Sequence, residues 1–356
     1  MRFLILFLLL VAPLSACPFC APSSSDLYTI VDNSQAVAKV EKVGEGKYKI
    51  TEVLKGKAKV GRVVLAGASR AFSSTQPEAL LLSTISNPNQ PYWSEPVRPL
   101  TNREYGFVKS SLSAPSKAKL LDLAARHLED KSDLLADSAY SILAPAEVEE
   151  VQARAGLVGQ KKLISWIQAP TVLSERKSLY LLMALPKLTS QDKSWLKTQL
   201  LNPPLSAYAS HLAPMMVAYA RTGGATALKE MEAVFLKPGA SASATFGATS
   251  GFTYIGTYET DPAIKSAARD IIRRELDHPD RGVFAISTLA EWRDFGVADK
   301  IEAMAYKHEE TPWVVSSATR YFRSFESQKA REAIKRLAAK YPKIVESAQK
   351  PFPKAK

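Results

Sequence analysis

The chain has 356 residues, 46% of them apolar, and a formal charge of +12 from 47 Lys and Arg against 35 Asp and Glu. That apolar share is ordinary and supplies a sizeable core, while the length predicts two domains or one long repeat array. The basic excess reads as thinly spread, densest in KVEKVGEGKYK, KSSLSAPSKAK and the tail KPFPKAK, without the interleaved aromatics of a nucleic-acid binder; it suits an anionic envelope polymer instead.

The first residues, MRFLILFLLLVAPLSAC, place one Arg before an apolar run from Phe3 to Ala12, then a Pro and small residues. This run is too short to span a bilayer as a helix, and the pattern predicts a signal peptide over residues 1–16 and an exported, periplasmic or envelope protein. No later segment is apolar for long enough to cross a membrane. The two cysteines, Cys17 and Cys20, follow at once in LSACPFCAP. A redox CxxC opens a helix after a strand, and none precedes Cys17. A zinc site needs about four ligands, and His127, His211, His278 and His308 are isolated, so no metal and no cofactor is expected. Two readings stay open. Leu14-Ser15-Ala16-Cys17 fits the bacterial lipoprotein pattern, which would put a lipid on Cys17 and give the chain its one membrane contact. Cleavage after Ala16 would instead leave Cys17 and Cys20 for a disulfide in an oxidising compartment.

Next, SSSDLYTIVDNS predicts a short helix capped by one of Ser23 to Ser25 or by Asp26. QAVAKVEKV, KYKITEVLKG and GRVVLAG read as three strands of a meander, with Gly where turns need it, and EALLLSTIS (78–86) as a fourth. After a Pro-rich loop, NREYGFVKSSL is a helix start or a fifth strand. A small OB-like β-barrel domain over residues 17–112 fits five such strands. The N-terminal Cys, the helix and the segments QAVAKVEKV and YKITEVLKG resemble the start of netrin-like and metalloproteinase-inhibitor modules. That resemblance implies an OB barrel whose free N-terminal Cys chelates a protease zinc. The family begins Cys-x-Cys with distant disulfide partners; this chain has CPFC and no third cysteine, so the inhibitor activity does not carry over.

From Pro115 the apolar period turns helical, and each segment starts after Ser, Pro or Asp. Small-and-apolar helices recur near Ala139, Leu182, Val217, Ile255, Ile286 and Ser317, at separations of 43, 35, 38, 31 and 31 residues. This is close to the length of a two-helix repeat, whose neighbours stack because neither helix buries its stripe alone. An all-α HEAT-like solenoid is expected over residues 115–348, followed by a basic tail, 349–356. TGGATAL (222–228) reads as a helix–helix turn. KPGASASATFGATSGFTYIGTYETD (237–261) reads as a helix from about Thr245, with a ligand-binding aromatic loop as the alternative.

SERKSLYLLMALPKLTSQD, LKEMEAVFLK, RRELDHPDRGVFAISTLAEWRDFGVADKI and TPWVVSSATRYFRSFESQKAREAIKRLAAKYPKIVESA, together with the CPFC start, resemble a group of secreted planctomycete proteins without an assigned activity. The resemblance runs from Cys17 to about Ala348 and implies architecture and export, not a reaction. The fold class expected is therefore multidomain α+β, with an OB-like barrel followed by a helical solenoid. No nucleophile elbow, phosphate loop or dinucleotide fingerprint occurs. Glu259 and Asp261 with Asp277 and His278, and Glu291 and Asp294 beside Trp292, are the acidic groupings. The favoured function is a non-catalytic binding or scaffold module that holds a protein or glycan on its helical surface, with Trp292, Arg293, Trp313 and Tyr321 as candidate contacts. The alternative is a periplasmic enzyme or thiol-redox protein using Cys17 and Cys20.

Overall fold

The computed structural model describes residues 20, 26–67, 78–206, 209–278, 281–307 and 311–349. The leader, Cys17 and residues 350–356 of the tail lie outside them. The architecture is mixed, with a small antiparallel sheet near the N-terminus followed by helices.

Helix α1 spans Leu27–Asn33 and is capped by Asp26, whose Oδ1 accepts from the Thr29 N–H at 3.1 Å. It buries Leu27 and Val31. Strands β1 (Ala36–Gly44) and β2 (Lys47–Lys55) form a hairpin turned at Gly46, which sits at φ 61° where a side chain would be strained. Then come β3 (Val63–Leu65), β4 (Ala79–Thr84) and β5 (Arg98–Leu100), in the order β3-β2-β1-β4-β5. The fourth strand falls where the Leu-rich run placed it. The fifth lies inside the Pro-rich loop, and NREYGFVKSSL is wholly helical. Pro99 lacks an N–H, so its strand is confined to an edge, and three residues are too few to show alternation.

Alternation along β1 and β2 sends side chains to two cores. On one face Ala36, Ala38, Val40, Tyr48, Ile50 and Val64 pack with Leu82, Trp93 and Val97. On the other, Val37, Leu81 and Leu100 meet Leu27 and Val31 of α1 and Tyr105 and Val108 of the next helix. The segment before β5 also pairs with the opposite edge: Leu65 N–H donates to Pro91 O, Trp93 N–H to Leu65 O and Val97 N–H to Gly67 O.

Helix α2 (Asn102–Leu112) opens with a capping box between Thr101 and Glu104. It is followed by α3 (Lys117–His127), α4 (Asp133–Leu143), α5 (Val148–Ala153), α6 (Ala155–Val158), α7 (Gln160–Gln168) and α8 (Ser174–Ala184). Contacts divide the chain between Lys187 and Leu188, so the sheet and α1–α8 fold as one compact unit. The joint is physical: Leu134 of α4 packs on the α1–sheet core, and Tyr28 N–H donates to Ser138 Oγ at 3.2 Å.

The second unit holds α9 (Asp192–Leu201), α10 (Leu212–Phe235), α11 (Ala242–Tyr258), α12 (Pro262–Glu275) and α13 (Gly282–Glu291). It continues with α14 (Ala298–Lys307), α15 (Pro312–Arg323), α16 (Gln328–Lys340) and α17 (Pro342–Gln349). The expected turn at TGGATAL is compressed to one non-helical residue inside α10, Gly224 at φ 61°, ψ −151°. Residues 237–261 are helical from Ala242, three residues before the expected start. Contacts join α10 to α12, α11 to α13 and α13 to α15 as well as direct neighbours. No helix among the described residues is long and apolar enough to cross a membrane.

Candidate partner-binding surfaces

The four residues singled out from the sequence divide in two. Tyr321 is 1% exposed, and its hydroxyl donates to the Asp294 backbone O at 2.6 Å. Trp292 is half-buried: its Nε1 donates to Thr257 Oγ1 at 2.8 Å and the Arg269 guanidinium lies 5.0 Å over its ring. Arg269 Nε in turn donates to Gly256 O at 2.8 Å, so this Trp wedges α12 against α11. Arg293 and Trp313 face solvent, Arg293 in left-handed backbone at φ 51° and Trp313 with 49% of its surface exposed. Packing takes Trp292 and Tyr321 and leaves two residues available to a partner.

Of the acidic groupings, Glu259, Asp261, Asp277 and Asp294 are held in structural roles, and Glu291 is exposed. Glu259 is buried; burial opposes its ionisation, but Arg221 Nε at 2.8 Å and the N–H groups of Thr260 and Asp261 hold its carboxyl below the ordinary range. Asp261 caps α12 by accepting from the Ala263 and Ile264 N–H groups, with Pro262 at the first helical position. Asp277 pairs with Lys300, and Asp294 accepts from Arg273 Nε at 2.6 Å. Among the described residues no group of three or more His, Cys, Asp or Glu is placed to hold a metal ion. Cys20 is buried and disulfide-bonded.

The exposed surface least expected of a solvated helix is on α11. Residues 238–258 contain no charged side chain. The inner face is built from small residues that let α10 and Trp292 come close: a Cβ on Gly251 would overlap the Met216 sulfur, and one on Gly256 would lie 2.5 Å from the Trp292 ring. The outer face follows the helix repeat through Phe246, Ser250, Tyr254 and Tyr258. Phe246 and Tyr258 are 60% and 50% exposed. Phe246 meets Phe284 of α13 edge-on at 5.8 Å, and Tyr254 and Tyr258 stack at 4.8 Å. Thr253 of α11 and Thr288 of α13 share a hydroxyl hydrogen bond of 3.0 Å. The sequence favours a helix here, with the Gly, Ser and Thr around the aromatics leaving a loop as the alternative.

The helix-covered face of the sheet ends in an open groove of about 560 Å³ beside Lys39, Glu41, Thr51, Glu52 and Glu78. Glu52 accepts from Lys109 Nζ and from the Tyr105 hydroxyl, each at 2.7 Å, and Lys39 Nζ sits 4.9 Å over the Tyr105 ring. The Lys109 and Tyr105 bonds hold the Glu52 carboxyl below its usual range, while burial and Glu52 itself raise the Tyr105 phenol. This cluster joins a strand to α2 across more than fifty residues of sequence, and no short motif marks it. A second, more apolar groove of about 500 Å³ runs between α9 and α10 beside Leu201, Ala233 and Val234. No family model matches the chain, and no curated protein and no solved structure shows significant similarity to it.

Proposed function

We propose that this is an exported, non-catalytic binding or scaffold protein that holds a protein or glycan partner on its helical surface. The observation that carries the reading is the outer face of α11, where Phe246, Tyr254 and Tyr258 stand on a helix without charge. Exposed aromatics at such spacing give large contact area at low ordering cost and suit apolar protein surfaces and the C–H faces of sugars. Trp313 and Arg293 extend the choice of contacts in the same unit. Helices in contact with their next-but-one neighbours, α11 with α13 and α13 with α15, support stacking of HEAT type. The segment 91–100, bonded through its first residues to the β3 edge and through β5 to β4, supports an OB-like barrel. Both remain parts of the proposal, as does membership of the secreted planctomycete type. Export rests on the leader, and the disulfide at Cys20 favours a Cys17–Cys20 bond over a lipid on Cys17, because the chain holds no other cysteine.

The test is capture from envelope extract with the mature chain and with the variant Phe246→Ser/Tyr258→Ser, identifying retained proteins and glycans by mass spectrometry. The wild type is expected to retain a component that the variant, melting at the same temperature, loses at least tenfold. Identical captured sets for the two proteins overturn the proposal.

A further inference from the structure

The positive charge, counted by segment, is concentrated rather than spread. Residues 39–62 hold eight Lys and Arg against three Asp and Glu, and residues 312–356 hold eleven against three. These two stretches account for the whole excess of the chain. The first also exposes aliphatic side chains: Val43 is 49% exposed, Val60 64%, Val63 48% and Leu65 40%. Topology sets two of them beside lysines. Val64 of β3 points into the sheet core, so Val63 and Leu65 point out, and their ladder partners on β2 are Lys49 and Lys47. Tyr92, 58% exposed, is bridged beside Leu65. The loop entering β3 adds the exposed Lys57, Lys59 and Val60. Among the described residues Glu41 pairs with Lys49 at 3.1 Å, and Glu45 precedes Lys47 in the β1–β2 turn. The result is an apolar pair, Val63 and Leu65, flanked by lysines at the β3 edge of the sheet, on the same face as Glu41.

We propose that this face rests on an anionic lipid bilayer, with Val60, Val63, Leu65 and Tyr92 entering the headgroup layer and Lys47, Lys57 and Lys59 meeting lipid phosphates. Charge complementarity selects an anionic surface, and the aliphatic side chains select an interface. A soluble polyanion would pair the lysines and leave four apolar side chains in water, whereas a headgroup layer takes both. The contact needs no lipid on Cys17 and is separate from the partner surface on α11, so either can fail alone.

The test is co-sedimentation of the mature chain with unilamellar vesicles of phosphatidylcholine containing about a third phosphatidylglycerol, against pure phosphatidylcholine. The wild type is expected to pellet with the anionic vesicles and to stay in solution with the neutral ones. Each lysine at such a surface contributes about fivefold in partitioning, so Lys57→Glu/Lys59→Glu is expected to lower it more than tenfold. Val60→Ser/Val63→Ser is expected to lower it severalfold, and added salt to weaken the wild type more than it weakens the lysine variant. Circular-dichroism melts establish that each variant is folded, and Lys57→Gln/Lys59→Gln replaces a reversal that melts early. No binding to anionic vesicles, equal binding to both vesicles, or undiminished binding by either double variant overturns the proposal. So does binding to soluble dextran sulfate with no vesicle pelleting, which would make the partner a polyanion.

Discussion

Glu275 closes α12 with 3% of its surface exposed, and its Oε2 has no hydrogen-bond partner; the nearest cation, Arg281 Nε, stands 3.6 Å away. Arg281 is itself committed, donating from Nη1 to Leu236 O at 2.6 Å. Burial pushes the Glu275 carboxyl above its ordinary value; Arg281 opposes the shift, Glu232 adds to it and Arg274 opposes it. A raised folded pKa means that the folded chain keeps a proton the unfolded chain has released. This group therefore adds stability as pH falls through its folded value, with the gain complete below the unfolded value of about 4.3. Glu275→Gln removes the titration. Urea midpoints at pH 5 and pH 8 should show the wild type losing more stability than the variant on going to pH 8. Parallel changes in the two proteins would dismiss the raised pKa. Carboxylates held low by partners, such as Glu52, Glu150 and Glu230, act in the opposite sense at more acid pH and cancel in this comparison.

Among the elements, α11 shows how small residues set a helix in place. Trp292 cannot retreat from a side chain at Gly256, because its Nε1 is bonded to Thr257 and Arg269 covers its ring. Gly256→Val is expected to cost about 1–3 kcal/mol as overpacking. Gly106 in α2 is the control: a Cβ there meets nothing within 4 Å, so Gly106→Ala should stabilise by about 0.5–1 kcal/mol. Denaturant melts of the two variants measure both signs, and a neutral Gly256→Val would mean that the helices part easily. The start of α11 was legible only approximately, because Ser241 caps it where Ser, Ala and Gly alternate without an apolar period. Strand β5 was illegible, since its pairing depends on β4 nearly twenty residues earlier and not on its own three residues.

For the whole molecule, the disulfide at Cys20 bears on the proposed processing of the N-terminus. Thiol alkylation of the mature protein is expected to add no group without reductant and two groups after reduction, matching Cys17 and Cys20. One reactive thiol together with a diacylglyceryl mass would restore the lipid. The division into compact units is the second whole-molecule feature. It falls at Lys187–Leu188, and within the first unit α4 supplies Leu134 and Ser138 to the core of α1 and the sheet.

Local physics was readable from residues alone. Asp26 and Ser116 cap the helices they precede, Val- and Ile-rich runs form β1 and β2, and the helical period after Pro115 is helical in fact. These depend on neighbours within a turn of helix or one ladder spacing, and the sequence carries them directly. Tertiary structure decided what depends on distant partners: that Tyr321 and Trp292 turn inward while Trp313 turns out, and that Glu52 finds Tyr105 and Lys109. It also set Val63 and Leu65 outward beside lysines, because a three-residue strand shows no face until its neighbour fixes the register.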